Sequence, residues 1–403
     1  MNPVFKFFSS LRLTVVLLAL SMVLVFCSTT AQLRWGAFEV QKIYFESLGA
    51  IWHYPAEWYG GRTLSQISIP LPGGFLLGGL LIINLCCAHF RFFRPSWKKA
   101  GIALIHGGIV LLIVSGFVTA FLRQENYMWI SVGGQSSYLE SFHDRDLVFI
   151  DHTDPQTDTV VSIPTSLLDP NKPLTNPALP FTVKTIFYYP NSILGMRSSN
   201  PGMPELPVKN GVAHNRDLGV APVAYDYAHD ESNMATAAVT IETAKGPVGG
   251  WLASTMLDPA PPFLKADLPQ TFTVDGHTWE VTLRARREYL PFTLHLDEFI
   301  HDLYPGTDVP KSFESQLHLI NPSQKENRPV LIYMNHPLRY AGWTFYQSSF
   351  AQGDTASMLE VVHNPGWILP YVALAMVGFG MLFQFITSLL AHLRREKQKS
   401  TAS

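Results

Sequence analysis

The sequence predicts an integral membrane protein with four transmembrane α-helices, three near the N-terminus and one near the C-terminus, and a large mainly-β extracytoplasmic domain. Three observations predict this fold class. Only 15% of the 403 residues are charged, whereas soluble proteins carry about 25%. Four stretches reach the length of about 20 mostly apolar residues that crosses a bilayer. Between the third and the fourth lies a long polar region in which short β-branched and aromatic runs alternate with Gly, Pro, Asn and Asp.

The four apolar stretches justify the helical part of the prediction. They cover residues 13–30, 70–90, 100–122 and 367–392, and the third contains no formally charged residue. In the second, Gly74 and Gly78 lie one helical turn apart, a spacing that favours close packing against another helix. The first span has a second interpretation as a cleaved signal peptide, because Lys6 and Arg12 precede its apolar core.

Basic residues predict the orientation of the spans, since Lys and Arg are enriched in cytoplasmic segments. They cluster in segment 1–12, in the loop 91–99 and in the tail 393–403. Four crossings place all three clusters in the cytoplasm, and the loop 31–69 and the domain 123–366 outside. We therefore predict a multi-pass protein of the bacterial inner membrane with a periplasmic domain. The last nine residues, REKQKSTAS, are predicted to be a disordered tail.

The charge distribution separates the predicted domain from the rest of the chain. Residues 123–366 hold 16 Lys and Arg against 27 Asp and Glu, a net charge of −11, and the remaining segments have a net charge of +9. An acidic domain repels phosphate groups, so nucleic acid is not an expected partner.

Local patterns within the domain predict strands. The clearest is QTFTVDGHTWEVTL (270–283), where alternating strands flank Asp275 and Gly276, a pair suited to a tight hairpin turn. Residues 190–222 are rich in Pro, Asn and Gly and are predicted to form a long irregular loop. The expected body is a β-sandwich or an open barrel.

The cysteines limit the redox chemistry of the chain. Cys27, Cys86 and Cys87 all lie in apolar stretches, and residues 88–403 contain none. The predicted outer domain therefore has neither a disulfide nor a CxxC pair, and it cannot exchange thiols with cysteines of its own.

Two histidines are candidate ligands within the membrane. His106 lies inside the uncharged third span, where an ionisable group is costly and indicates a functional or paired role. Neutral imidazole is a ligand for haem iron, and Gly107 and Gly108 allow close approach of a macrocycle or of another helix. The competing interpretations are a hydrogen bond to a neighbouring helix and snorkelling of the side chain towards the cytoplasmic interface. His89, near the cytoplasmic end of the second span, is the weaker candidate for a second ligand at similar depth.

The outer domain offers fewer candidates. His295 and His301 share one face of a predicted strand, but a metal site needs a third ligand, and neither His318 nor His336 can be placed from the sequence. The chain contains no glycine-rich phosphate loop, GxSxG elbow or HExxH motif.

Several ordered sequence blocks resemble the ResB family of c-type cytochrome biogenesis proteins, which belong to the System II route. The blocks are FSSLRLT (8–14), HGGIVLLI (106–113), FIHDLYPG (299–306) with PKSFES (310–315), NHPLRYAGWTFYQSSF (335–350) and VVHNPGW (361–367). Each block alone is weakly specific, and their order together with the span arrangement makes the resemblance specific.

The resemblance implies a function that spacing alone does not. ResB-like proteins pair with a CcsA-like membrane protein, carry haem b outwards as a transient substrate, and support its thioether attachment to the CxxCH motif of apocytochrome c. The resemblance implies that the chain is a subunit of a haem-ligating complex, not a complete enzyme. The family's membrane histidine falls on His106, which would be an axial ligand of the haem iron, with a second histidine from the partner. A thioredoxin-like protein would keep the substrate thiols reduced.

Two other functions remain open at this point. A haem b-containing electron-transfer subunit is one, although it needs further membrane histidine pairs and only His106 is convincingly intramembrane. The other is an assembly scaffold for the partner that binds no haem, in which His106 only packs.

Overall fold

The computed structural model describes residues 2–54, 67–94, 96–258, 262–307 and 310–401. The chain divides into two compact units. The helical unit comprises Met1–Gln124, Ala341–Trp343 and Val362–Ser403, and the β unit comprises Glu125–Tyr340 and Thr344–Val361. The short segment Ala341–Trp343 therefore belongs with the helices, although residues of the β unit precede and follow it in the sequence.

The α-helices of the described residues fall at the two ends of the chain, apart from one short helix in the β unit. They are α1 (Pro3–Phe8), α2 (Leu11–Val40), α3 (Gly74–Phe92), α4 (Ala100–Leu122), α5 (Gly211–Asn215) and α6 (Leu369–Thr401).

Four helical segments are long and apolar enough to cross a membrane: Leu11–Phe45, Gly74–Phe92, Trp97–Leu122 and Leu369–Arg395. Three lie near the N-terminus and one near the C-terminus, so the predicted arrangement of four apolar helices is confirmed. Many large apolar side chains on these helices are exposed within the chain, which is typical of surfaces that face lipid.

The strands of the described residues form one small hairpin in the helical unit and three sheets that build the β unit. They are β1 (Gly49–His53), β2 (Ser68–Pro72), β3 (Gln124–Ser131), β4 (Gln135–Asp151), β5 (Thr159–Pro164), β6 (Thr182–Tyr189), β7 (Ser192–Met196), β8 (Leu218–Pro222), β9 (Thr236–Thr243), β10 (Gly246–Ser254), β11 (Thr271–Val274), β12 (His277–Leu303), β13 (Pro310–Asn321), β14 (Glu326–Tyr333), β15 (Leu338–Tyr340), β16 (Trp343–Phe350) and β17 (Ala356–His363).

The large sheet has the order β14-β13-β12-β4-β3-β17-β16-β15, with β5 beside β4 and β11 beside β12. A second sheet has the order β10-β9-β6, and β7 pairs with β8. Apolar side chains of β4, β5, β11 and β12 form one buried cluster with those of β6, β9 and β10. The two larger sheets thus enclose a common core, as the predicted sandwich requires.

Two local predictions for the β unit have different outcomes. The hairpin is confirmed: β11 pairs with the start of β12, and both Asp275 and Gly276 have positive φ angles of 49° and 88°. The irregular loop over 190–222 is wrong in part, because β7 and β8 pair through this region, with Ile193 opposite Ala221. Apolar residues spaced along a Pro- and Gly-rich segment proved sufficient for a short hairpin.

The predicted disordered tail is also wrong as far as the structure describes it. Helix α6 continues to Thr401, and residues 402–403 lie outside the described residues. Lys, Arg, Glu and Gln, which dominate residues 394–399, are good helix formers, so the polar end prolongs the apolar helix.

Small residues set the packing between α4 and α6. A Cβ atom added to Gly108 would lie 2.8 Å from the carbonyl oxygen of Ala373 and 2.7 Å from a methyl carbon of Val377. One added to Gly101 would lie 2.6 Å from the carbonyl oxygen of Gly380. The two backbones therefore approach as closely as the absence of side chains permits.

The glycine pair of the second span also lies at packing contacts. A Cβ atom on Gly74 would lie 2.5 Å from the carbonyl oxygen of Phe45, and one on Gly78 would lie 3.3 Å from the ring of Phe117 on α4. Gly78 thus marks the contact between α3 and α4, the two helices that carry the candidate histidines.

Candidate functional site

Helices α3 and α4 bring the two candidate histidines together. The ring centroids of His89 and His106 lie 5.7 Å apart, with an angle of 58° between the ring planes. Both side chains are partly buried. Two residues 17 positions apart in the sequence are adjacent because a short basic connection reverses the chain between antiparallel helices.

The hydrogen bond of His106 identifies the tautomer of its neutral ring. Its Nδ1 lies 2.8 Å from the carbonyl oxygen of Ile102, four residues earlier on α4. A carbonyl oxygen only accepts, so Nδ1 carries a proton, and in the neutral ring the lone pair is on Nε2. No hydrogen bond to Nε2 occurs within the described part of the chain. An imidazole oriented in this way is prepared to bind a metal through Nε2.

This hydrogen bond tests the interpretation that His106 is hydrogen-bonded to a neighbouring helix. The observed partner belongs to α4 itself, so the bond does not join two helices. The neighbouring glycine has the packing role instead. Since successive helical residues are about 100° apart, His106 and Gly108 point to different sides of α4, Gly108 towards α6 and His106 towards α3.

His89 has a different environment. Its ring stacks on Phe93, with centroids 4.2 Å apart and planes 19° apart. Nothing in the described residues hydrogen-bonds to either of its ring nitrogens. The stacked phenyl ring therefore orients His89, and both nitrogens are available to a ligand or to water.

Sequence reasoning missed the polar contact that fixes α3 against α2. Asn84 is buried at 1% exposure. Its Nδ2 donates to the carbonyl oxygens of Phe8 at 2.7 Å and Ser10 at 3.1 Å, and its Oδ1 accepts from the hydroxyl of Thr14 at 2.6 Å. The amide group is fully used, and it holds the N-terminal segment against the helix that carries His89. A single Asn within an apolar span was the available signal.

Two histidines of the β unit share one carboxylate. Nδ1 of His295 lies 3.1 Å and Nδ1 of His318 lies 2.5 Å from the carboxylate of Asp297. Burial raises the pKa of Asp297, but the hydrogen bonds and charges of the two histidines outweigh it and hold that pKa below its ordinary value. Among the described residues, no group of three or more His, Cys, Asp or Glu has an arrangement that could hold a metal ion.

His301, the other histidine of the predicted strand face, is separate from that pair. Its Nδ1 lies 3.4 Å from the carboxylate of Asp354, and its ring packs against Phe313 and Phe350 with centroids 5.2 and 4.6 Å away. The structure places His336 elsewhere again, stacked on Tyr333 at 4.1 Å. His301 and His336 of the β unit therefore lie apart from the pair formed by His295 and His318.

Comparison with known proteins gives three findings. Residues 269–376 match the model of the ResB-like family. Protein NrfI of Wolinella succinogenes is 33% identical over 97 residues, which are 24% of this chain and 11% of NrfI. The cytochrome c biogenesis protein CcsB of Picosynechococcus sp. is 34% identical over 80 residues, which are 20% of this chain and 17% of CcsB. The chain thus covers less than a fifth of either relative.

The matched region extends from the first residues before β11 to the start of α6. It contains three of the blocks that carry the resemblance, FIHDLYPG with PKSFES, NHPLRYAGWTFYQSSF and VVHNPGW, and it does not include His89 or His106. The resemblance that the sequence motifs indicate is therefore confirmed, and residues 269–376 of this chain are a ResB-like region.

Proposed function

We propose that this chain acts in the biogenesis of c-type cytochromes as the haem-handling subunit of a membrane complex. The ResB-like region and the similarity to CcsB support the general role. The haem assignment rests on the environment of His106. Its Nε2 has no partner within the described residues, and the residue lies in a helix without formal charge. Neutral imidazole is an axial ligand of haem iron.

Haem is the substrate in this proposal and is passed on. A CcsA-like partner would complete the site and supply a second axial histidine. His89 is the alternative source of that ligand within this chain, since its ring lies 5.7 Å from that of His106. The two sources differ in one respect that can be measured, because only His89 would give two axial imidazoles in the isolated chain.

The covalent step joins each cysteine thiol of a CxxCH motif to a haem vinyl group. A carbon–sulfur bond forms, the π bond of the vinyl group breaks, and the thiol proton moves to the other vinyl carbon. No atom is lost, and haem and thiols keep their combined oxidation level. Holding both reactants together is the main contribution that a protein can make to such an addition.

The reaction requires reduced thiols, and this chain cannot provide the reductant from its β unit. Residues 88–403 contain no cysteine. A thioredoxin-like protein acting on the same apocytochrome would fill that role. The acidic β unit would hold the apocytochrome, whose segment around CxxCH would need complementary basic residues.

Co-expression of this chain with a CcsA-like protein and a CxxCH reporter tests the proposal. His106→Ala should abolish covalent haem attachment to the reporter and remove the Soret band of the purified complex. Imidazole added to His106→Gly should restore both, because a free ligand can replace the missing side chain. A complex that lacks a Soret band in the wild type, or that keeps it unchanged in His106→Ala, contradicts the haem assignment.

The adjacency of two imidazoles also favours a second candidate function, electron transfer through a haem b held by His89 and His106. The same strains distinguish the two functions. Reversible reduction by quinol with normal reporter maturation in the His106→Ala strain would favour electron transfer.

A further inference from the structure

Basic side chains collect at one end of the helical unit, where the chain passes from α3 to α4. Nη1 of Arg91, in the last turn of α3, donates to the hydroxyl oxygen of Ser9 at 2.8 Å, so the start of α2 lies at this end. The ring of Trp97, which shortly precedes α4, lies 6.2 Å from the ring of Phe383 on α6, so the second half of α6 lies there too. The fold therefore joins three basic segments that are far apart in the sequence.

We call this surface the basic end and define it by its cationic side chains. All of them except Arg91 are exposed, and none forms an ion pair among the described residues. They are Lys6, Arg12, Arg91, Arg94, Lys98, Lys99, Arg394 and Arg395. The surrounding segments 1–12, 84–105 and 384–395 contain no Asp or Glu, and residues 396–399 add one Glu and two Lys. This end therefore has a net positive charge.

The arrangement is electrostatically unfavourable for the chain by itself. Cations that lie close together repel one another. Lys98 and Lys99 also lie in the first turn of the span Trp97–Leu122, where the positive end of the helix dipole disfavours cations. Neither Ser96 nor Lys99 caps the start of this helix with its side chain. Anions bound at the basic end would offset both effects.

Exposed aromatic rings indicate the kind of anion. Phe90, Phe92 and Trp97 are 81%, 56% and 83% exposed, and the guanidinium carbon of Arg91 lies 4.7 Å from the ring centroid of Phe92. Trp together with Lys and Arg at the end of an apolar span is typical of the headgroup region of a bilayer. Clusters of about 4–8 Lys and Arg at such a position attract anionic lipids. The surroundings therefore favour a lipid surface over a soluble anion.

The opposite end of α2 has no such excess of charge. Segment 32–46 contains two cations, Arg34 and Lys42, and two carboxylates, Glu39 and Glu46. Both cations are exposed. A balanced segment needs no external anion, so Arg34 and Lys42 provide a matched control pair for the two lysines of the basic end.

We propose that the basic end binds the phosphate groups of anionic phospholipids, with Lys98 and Lys99 as central contacts. The lipid would stabilise the start of α4, the helix that carries His106. Binding is electrostatic, so each lysine near the lipid phosphates should change the affinity about fivefold. The inference does not rest on the proposed function, because it requires no haem.

Native mass spectrometry of the purified full-length chain tests the inference, in detergent micelles that contain equal amounts of phosphatidylglycerol and phosphatidylcholine. The wild type should retain phosphatidylglycerol in preference. Lys98→Gln/Lys99→Gln should lower that preference by up to about 30-fold, because two cations are lost. Arg34→Gln/Lys42→Gln also removes two cations and should leave the preference unchanged. Arg91 and Arg94 remain in every variant and keep the connection between α3 and α4 basic.

A charge-preserving variant separates loss of charge from loss of folding. Lys98→Arg/Lys99→Arg should keep the preference for phosphatidylglycerol, and its loss there would overturn the inference. Equal retention of the two lipids by the wild type overturns it, as does an equal decrease in the two glutamine variants. Inorganic phosphate at the same concentration as the lipid should not displace phosphatidylglycerol. Displacement would assign the cations to a soluble anion and overturn the lipid assignment.

Discussion

The helical unit and the β unit hold their histidines in different ways. In the helical unit, His106 and His363 each donate from Nδ1 to a backbone carbonyl. In the β unit, His152 lies between two carboxylates, with Nδ1 2.8 Å from Asp158 and Nε2 2.8 Å from Glu280. Helices α3, α4 and α6 contain few charged residues near the histidines, whereas the β unit is acidic.

This difference teaches that the same side chain has two kinds of partner in one molecule. A carboxylate neighbour stabilises the imidazolium ion and occupies a ring nitrogen, so the histidine becomes part of an ion pair. A carbonyl neighbour fixes the tautomer without adding charge, so the free nitrogen remains a ligand. Under the proposed function, the partner of a histidine would thus help to distinguish a candidate ligand from a histidine of an ion pair.

Under the proposed function, the largest effect should come from replacing one histidine of each kind. His106→Ala should abolish haem binding at the α3–α4 site and cytochrome maturation, because the iron loses its ligand. His318→Ala removes an imidazole that is paired with Asp297 and should leave both unchanged. Soret absorbance and haem-stained reporter cytochrome measure the two effects. Equal losses in the two variants would show that the partner of a histidine does not determine its role.

A second prediction concerns the close contact between α4 and α6. Gly108→Ala places a methyl group 2.8 Å from a backbone oxygen of α6, whereas Gly116→Ala meets no atom within 4 Å. Overpacking of this kind costs about 1–3 kcal/mol. Thermal unfolding in detergent should therefore show a lower Tm for Gly108→Ala and an unchanged or higher Tm for Gly116→Ala. Similar values would mean that α4 and α6 do not pack closely.

The helical part of the fold could be predicted from the sequence, but its internal contacts could not. Hydropathy located the four spans because the bilayer sets their length. It did not reveal that His106 faces α3 while Gly108 faces α6, since that depends on the rotation of α4 about its axis. The adjacency of His89 and His106 likewise depends on how α3 and α4 pack.

In the β unit, the sequence also predicted some features and not others. Asp275 and Gly276 predicted their hairpin because both φ angles must be positive in that turn. The pairing of Trp279 with Asp151, across more than a hundred residues, has no local signal. The contact of His363 could not be predicted for the same reason, because its hydrogen-bond partner Gly342 lies in a turn 21 residues earlier.

A smaller effect on the Tm is expected from removing the side-chain hydrogen bonds of Asn84 within the helical unit. Asn84→Leu keeps the size of the side chain but removes its hydrogen bonds to Phe8, Ser10 and Thr14. Side-chain hydrogen bonds between membrane helices contribute about 1–2 kcal/mol in model peptides and less in proteins. The Tm in detergent should fall modestly, with Ile83→Leu, an exposed position on the same helix, as the control. An unchanged Tm would show that this buried amide does not stabilise the contact between α2 and α3.

The smallest expected effect is a pH-dependent change in the stability of the β unit. The hydrogen bond to Glu280, with that to Asp158, raises the pKa of His152 above its ordinary value of 6.5. A raised pKa means that the folded state binds the proton more tightly than the unfolded state, so the stabilisation is complete below pH 6.5 and is lost as the pH rises through the folded-state pKa. His152 is 35% exposed, so the ion pairs should contribute less than about 1 kcal/mol.

His152→Gln should therefore lower the Tm at about pH 5.5 and have little effect at about pH 8.5, where the wild-type imidazole has lost its proton. His229→Gln provides the control for an exposed histidine, because the His229 side chain is 72% exposed and its contact with Asp226 is longer, at 3.4 Å. A deficit in His152→Gln that is constant across this range would mean that His152 contributes packing and not charge. The β-unit histidines would then no longer differ from His106 and His363 in the way that the comparison requires.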